Sequence, residues 1–192
     1  MRAGGFMRLY RSIIFTLVLA GCAFLFSGCA TSHKTRDVVR TISLDMPTDY
    51  RMASYLGFFK PRKSFLLTEI KTDILVANIF QSRCPHCRGL AESLDEIYEL
   101  VEKEGLFHKI KFIGLGYGDD FIEVEDFKKR YGIRFPMFAD PLANKVKVKN
   151  IPAIFILKMT PAGAKVLYEY YGVLPKAKDL METLRSELDS VS

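Results

Sequence analysis

The sequence predicts an α/β domain: a central mixed sheet with helices on both faces and one or more extra strands N-terminal to it. Three observations lead there. Short runs of apolar, β-favouring residues alternate with segments of helical period. A Cys-Pro-His-Cys motif falls where the most apolar of those runs gives way to a helix. A content of 49% apolar and 26% charged residues describes a chain that builds a core. At 192 residues there is room for one domain with some tens of residues to spare, but hardly for two cores.

The spare residues come first. Met1 to Arg11 holds three arginines and no acid, and Ile13 to Phe26 is almost wholly apolar, the layout of a secretory signal. That apolar run falls short of the roughly 20 residues needed to cross a bilayer as a helix. It ends in Phe26-Ser27-Gly28-Cys29, which resembles the bacterial lipobox, whose cysteine becomes lipid-modified. Leu19-Ala20-Gly21-Cys22 matches that pattern better in its local residues. Cleavage at Cys29 leaves the polar run Thr31-Ser32-His33-Lys34 expected of a tether, whereas cleavage at Cys22 leaves Ala23-Phe24-Leu25-Phe26. Cys29 is therefore the expected lipid attachment, with Cys22 as the alternative. The expected division is a lipoprotein signal peptide over 1–28, a tether and N-terminal extension over 29–62, and the domain over 63–192. The expected location is the cell envelope, lipid-anchored on the periplasmic or other extracytoplasmic side.

The elements follow in order. Val38 to Leu44 reads as a short extended piece, and Pro47 to Phe59 as a helical turn or two. Lys60-Pro61-Arg62-Lys63 reads as a loop. Phe65 to Ile70 and Ile74 to Phe80 read as strands around a tight turn, the second apolar enough to be buried on both faces. After Cys84, Leu90, Leu94, Ile97, Tyr98 and Val101 recur at helical spacing, and Gly105 stands where a C-cap would. Lys109 to Leu115 returns to strand character. Asp120-Phe121-Ile122-Glu123 reads as a capping box opening a helix to about Tyr131. A short helical turn near Leu142 to Val146, strands at Ala153 to Leu157 and Val166 to Tyr171, and a last helix with Leu180, Leu184 and Leu188 complete the domain.

The four cysteines divide usefully: Cys22 and Cys29 lie in the targeting segment, leaving Cys84 and Cys87 with only each other as partners. An isolated dithiol in an oxidising compartment points to redox chemistry rather than to a structural bridge. At the opening of a helix, unpaired N–H groups and the helix dipole favour the Cys84 thiolate, the attacking sulfur. Pro85 fits the first turn, where its missing N–H costs nothing. His86 can donate to or pair with the thiolate, and Cys87, one turn on, can close the disulfide.

Other readings are weaker. A zinc site needs a second ligand pair, and only His33 and His108 remain. Covalent haem needs a histidine where Arg88 stands. No metal and no cofactor is expected. The formal charge of +6 falls to +3 once Arg2, Arg8 and Arg11 are set aside, too weak to argue for nucleic acid. Lys145, Lys147 and Lys149 read as a solvated face.

From about Phe65 onward the chain resembles the thioredoxin superfamily, and most of all its TlpA-like exported disulfide oxidoreductases. Besides the dithiol, the residues that carry the resemblance are Ile74 to Phe80, the stretch Phe135-Pro136-Met137-Phe138-Ala139-Asp140-Pro141, and Asn150-Ile151-Pro152-Ala153-Ile154-Phe155. The resemblance implies that Ile151-Pro152 is cis, lies beside the dithiol and presents backbone to an extended substrate. The spacing of 68 residues between Cys84 and Pro152 favours the TlpA-like layout. Arg83 departs from the family's tryptophan, Leu90 from a proton-relaying glutamate and Asn78 from a buried aspartate. The function implied is thiol–disulfide exchange on exported proteins, supported by a membrane redox partner, in a direction that Cys-Pro-His-Cys and the TlpA-like layout read oppositely. The alternative is a non-catalytic lipoprotein of this fold that carries copper or binds a partner.

Overall fold

The computed structural model describes residues 41–173 and 175–189. The expected signal peptide, Cys22, Cys29 and the first part of the tether lie outside these residues.

A small antiparallel sheet pairs β1 (Ser43–Asp45) with β2 (Ser64–Leu66), with α1 (Tyr50–Leu56) between them in the chain. Asp49 caps α1 by accepting the Arg51 N–H at 2.8 Å, and Gly57 ends it at φ 94°, a left-handed value that suits glycine. The strand expected over Phe65 to Ile70 stops at Leu66. The Glu69 carboxylate accepts the Leu66 N–H at 2.7 Å and holds Arg62 through both oxygens, winding residues 67–69 into one 3₁₀ turn.

The main sheet has the order β5-β4-β3-β6-β7, formed by β3 (Ile74–Phe80), β4 (Ile110–Tyr117), β5 (Met137–Asp140), β6 (Ala153–Thr160) and β7 (Gly163–Tyr171). The first three run parallel; β6 runs antiparallel to β3, and β7 to β6, so the sheet is mixed. Helix α2 (Pro85–Lys103) joins β3 to β4, α3 (Phe121–Arg130) joins β4 to β5, and α4 (Ala177–Asp189) follows β7.

Strand β3 is central and buried at every residue, which is why its sequence is an unbroken apolar run. Its pleat sorts side chains into two cores. Ile74, Val76 and Phe80 pack with Leu94 and Ile97 of α2, Phe127 of α3 and Leu184 of α4. On the other face Leu75, Ala77 and Ile79 pack with Ile42, Leu44, Leu56, Phe58 and Phe65. The packed core thus includes residues well N-terminal of position 63.

The capping box of α3 forms as predicted: Asp120 accepts the Glu123 N–H at 2.9 Å, and Glu123 accepts the Asp120 N–H at 3.0 Å. The helical turn expected near Leu142 to Val146 does not form. There the Asp140 carboxylate accepts the N–H groups of Asn144 and Lys145 at 3.2 and 3.0 Å, and Ala143 takes φ 49°, so side-chain oxygens satisfy the backbone without a helix.

Candidate active site

β3 ends at Phe80 and α2 begins at Pro85, so Gln81-Ser82-Arg83-Cys84 makes the turn between sheet and helix. The turn is closed by two backbone hydrogen bonds, Cys84 N–H to Gln81 O at 3.0 Å and Cys87 N–H to Cys84 O at 3.1 Å. Cys84 is the N-cap of α2, with extended backbone (φ −78°, ψ 120°) and no side-chain capping bond, and Pro85 takes the first turn. Unpaired N–H groups and the positive end of the helix dipole converge at such a position.

The two sulfurs differ. Both are free thiols, but Cys84 is half-buried while Cys87 is 1% exposed, within the apolar core that α2 forms with the sheet. The Cys87 thiol is pushed up to about 12. Burial is the main cause, followed by its hydrogen bond with Cys84; the charges of Cys84 and Asp119 add, and a backbone hydrogen bond from Gln81 opposes. Pro85 and His86 are exposed beside the pair. Arg83, almost wholly exposed, forms an ion pair with Glu123.

Ile151-Pro152 is a cis peptide. Ile79 pairs with Ala153 across the β3–β6 ladder, which sets Pro152 level with Phe80, the residue from which the dithiol turn departs. Ile151 and Cys84 are partly buried against the same apolar cluster, and the Pro152 carbonyl accepts the Gly172 N–H at 2.9 Å. Chain segments far apart in sequence thus meet at one end of the sheet.

No family profile matches the chain. A curated relative, the thiol-disulfide oxidoreductase ResA of Geobacillus thermodenitrificans (strain NG80-2), is 21% identical over 184 residues, 94% of each protein. Among solved structures, a secreted Mycobacterium tuberculosis disulfide oxidoreductase homologous to E. coli DsbE matches with a TM-score of 0.55 at 14% identity, over 78% of this chain and 98% of that one. A thioredoxin-like protein from Aeropyrum pernix matches with a TM-score of 0.51 at 20% identity, over 65% and 83% of the respective chains. The chain carries a thioredoxin-like fold.

Within this thioredoxin-like fold, neither Asn78 nor Leu90 can exchange a proton with Cys87. Asn78 follows the alternation of Val76 and Phe80 toward the α2 face, is 1% exposed, and neither atom of its amide has a hydrogen-bond partner. Leu90 is buried in α2 as part of the apolar cluster. A buried carboxylate that holds the turn leading to the dithiol is that of Asp119, which sequence reasoning missed. It is 2% exposed, in the turn between β4 and α3, and its two carboxylate oxygens accept the Ser82 N–H at 2.7 Å and the Ser82 hydroxyl at 2.9 Å. Burial, first, raises the Asp119 carboxyl above its ordinary value; the Ser82 hydrogen bonds and Arg83 pull the other way, and Glu123 adds to the rise. Gly116 makes room for it: a Cβ there would stand 2.6 Å from Val124 Cγ2 and 3.0 Å from Asp119 Cβ. The available signal was the doubled acid of Gly118-Asp119-Asp120, in which the cap needs only Asp120.

Proposed function

We propose that the protein is a thiol–disulfide oxidoreductase of exported proteins. It works through Cys84 and Cys87 from a lipid anchor at Cys29, with Cys22 as the alternative, on the extracytoplasmic side of the cell envelope. The observation that carries the reading is the asymmetry of the pair: an accessible sulfur at a helix N-cap and a buried, protonated one a turn away.

The Cys84 thiolate attacks one sulfur of a substrate disulfide. That S–S bond breaks, and the other substrate sulfur leaves as a thiolate that takes up a proton. Cys87 then loses its proton and attacks the Cys84 sulfur, the mixed disulfide breaks, and the substrate's second sulfur leaves reduced. Two electrons have passed to the substrate and the chain holds a Cys84–Cys87 disulfide, which a membrane redox partner reduces back to the dithiol by giving it two electrons, two protons being taken up. Run backwards, the same steps oxidise a dithiol substrate. In this reading His86, exposed two residues on from Cys84, pairs with its thiolate. Ile151 and Pro152 supply backbone at the same end of the sheet for an extended substrate segment.

Insulin reduction with dithiothreitol as electron source tests the reading. The wild type should accelerate it, Cys84→Ser should abolish the acceleration, and Cys87→Ser should accumulate a mixed disulfide on Cys84. Full activity in Cys84→Ser would overturn the assignment, and a protein that binds copper through this pair without turnover would be a carrier. The reduction potential sets the direction: roughly −120 mV for an oxidant, roughly −270 mV for a reductant.

A further inference from the structure

The main sheet ends at β5, and the open side of that strand borders a groove. The Pro136 and Asp140 carbonyls accept the Gly114 and Gly118 N–H groups, both at 2.9 Å. Alternate residues of a parallel ladder turn toward the neighbouring strand. Pro136, Phe138 and Asp140 therefore address β4, whereas the N–H and C=O groups of Met137 and Ala139 point away from it. Among the described residues no strand pairs with that side. The groove has a volume of about 250 Å³, and residues 136–139 line it. The Met137 and Phe138 side chains are buried in the two cores, so what the strand offers there is largely backbone.

One wall of the groove comes from α3, where Phe121, Glu125 and Lys128 fall on one helical face. The other comes from the chain in and before α1, with Asp45, Asp49 and Met52. Phe121 is 65% exposed despite its size. It stands at the dithiol end: two residues before it, Asp119 holds Ser82 of the turn that leads to Cys84. Open backbone donors and acceptors between partly apolar walls are what an extended polypeptide completes; neither a small disulfide nor a bilayer surface supplies the matching groups.

We propose that this groove receives an extended segment of the substrate polypeptide as a further strand on β5, with an apolar side chain of that segment against Phe121. The proposal deepens the function proposed above and rests on the reading of Cys84 and Cys87 as the redox pair. From the added strand to β3, where the dithiol turn departs, is three strand spacings, about 14 Å, which about five extended residues cross. The substrate disulfide must therefore be flanked by a loose run of chain. Unfolded proteins meet that condition, and compact ones with tightly looped disulfides do not.

Insulin B chain with its cysteines carboxamidomethylated is the binding probe, because it offers an extended chain and no sulfur chemistry. With the full-length protein, hydrogen exchange at residues 136–140 should slow when the probe is added. Affinity for the probe should fall about three- to tenfold in Phe121→Ser and in Ala139→Pro. The proline removes only a donor that faces the groove, a change that edge strands tolerate, and the serine replaces an exposed side chain, so the fold stands in at least one variant. Ile122→Ser, at a residue 75% exposed but outside the groove, should bind as the wild type does. In turnover, both groove variants should lose about the same factor in kcat/KM for insulin, through KM, while reduction of hydroxyethyl disulfide stays within about twofold. Exchange at 136–140 that the probe leaves unchanged, equal losses on both disulfides, or a loss in Ile122→Ser as large as in Phe121→Ser overturns the proposal. So does a dimer, seen by light scattering, that Ala139→Pro dissociates, since the edge would then belong to a second copy. A wild type that binds the probe at 136–140 but reduces neither disulfide would keep the groove as a polypeptide site and overturn the redox reading instead.

Discussion

Cys87 is held as a thiol by its surroundings, and this couples its protonation to folding. In the folded state its proton is bound more tightly than in the unfolded chain, where an ordinary thiol titrates near 9.0. The contribution is fully present below that pH and is lost as pH rises from about 9 toward about 12. The reduced protein should therefore lose stability over that interval, while the oxidised protein, with no thiol to titrate there, should not. Urea melts of both forms at pH 7, 9 and 10.5 check it, and parallel behaviour of the two forms would contradict it. Asn78 is a different kind of buried polar group. With neither amide atom hydrogen-bonded, it carries a desolvation cost that no partner offsets. Asn78→Val, a smaller apolar residue in a strand whose neighbours are all buried and apolar, should stabilise the protein by about 1–3 kcal/mol, read as a raised urea midpoint at unchanged slope.

The elements differ in how openly the chain declares them. β3 and α2 were legible because burial on both faces and helical period leave strong patterns, and the Asp120–Glu123 box marks the start of α3 directly. The failures were places where one side-chain carboxylate outcompetes the local pattern. Glu69 folds back and ends β2 early, Asp140 satisfies the loop after β5, and Asp119 joins two turns 37 residues apart. Such pairings are long-range or geometric, and spacing along the chain does not encode them. The cis peptide at Ile151-Pro152 and the position of Cys84 at a helix start agree with what the motifs implied. Another hidden link is Tyr55 of α1. Strand β5 pairs with β4 only from Gly114 onward, so the Phe112 N–H on that side meets no strand, and the Tyr55 hydroxyl accepts it at 2.7 Å. Tyr55→Phe should leave that buried donor unpaired and cost about 1–3 kcal/mol, measurable as a lowered urea midpoint. Unchanged stability would show that the N–H finds another acceptor.

At the scale of the whole molecule, the sheet separates two cores made from different parts of the chain. One is built by α2, α3 and α4 and contains Cys87. The other is closed by residues between Ile42 and Ile70. A chain beginning at residue 63 would bare Leu75, Ala77 and Ile79, and should aggregate or fail to fold, whereas one beginning at residue 41 should stay monodisperse; size-exclusion chromatography of the two distinguishes these outcomes. The burial of one sulfur in the helix-built core reaches further. Unfolding and oxidation form a closed thermodynamic cycle, so any preference of the native packing for the dithiol over the disulfide returns, kilocalorie for kilocalorie, as electron affinity, about 30 mV for each 1.4 kcal/mol. Whichever form melts at the higher temperature is the form the native structure draws electrons toward or sheds them to reach. The interior of this protein thus carries, in its heat resistance, a reading of which way it passes electrons.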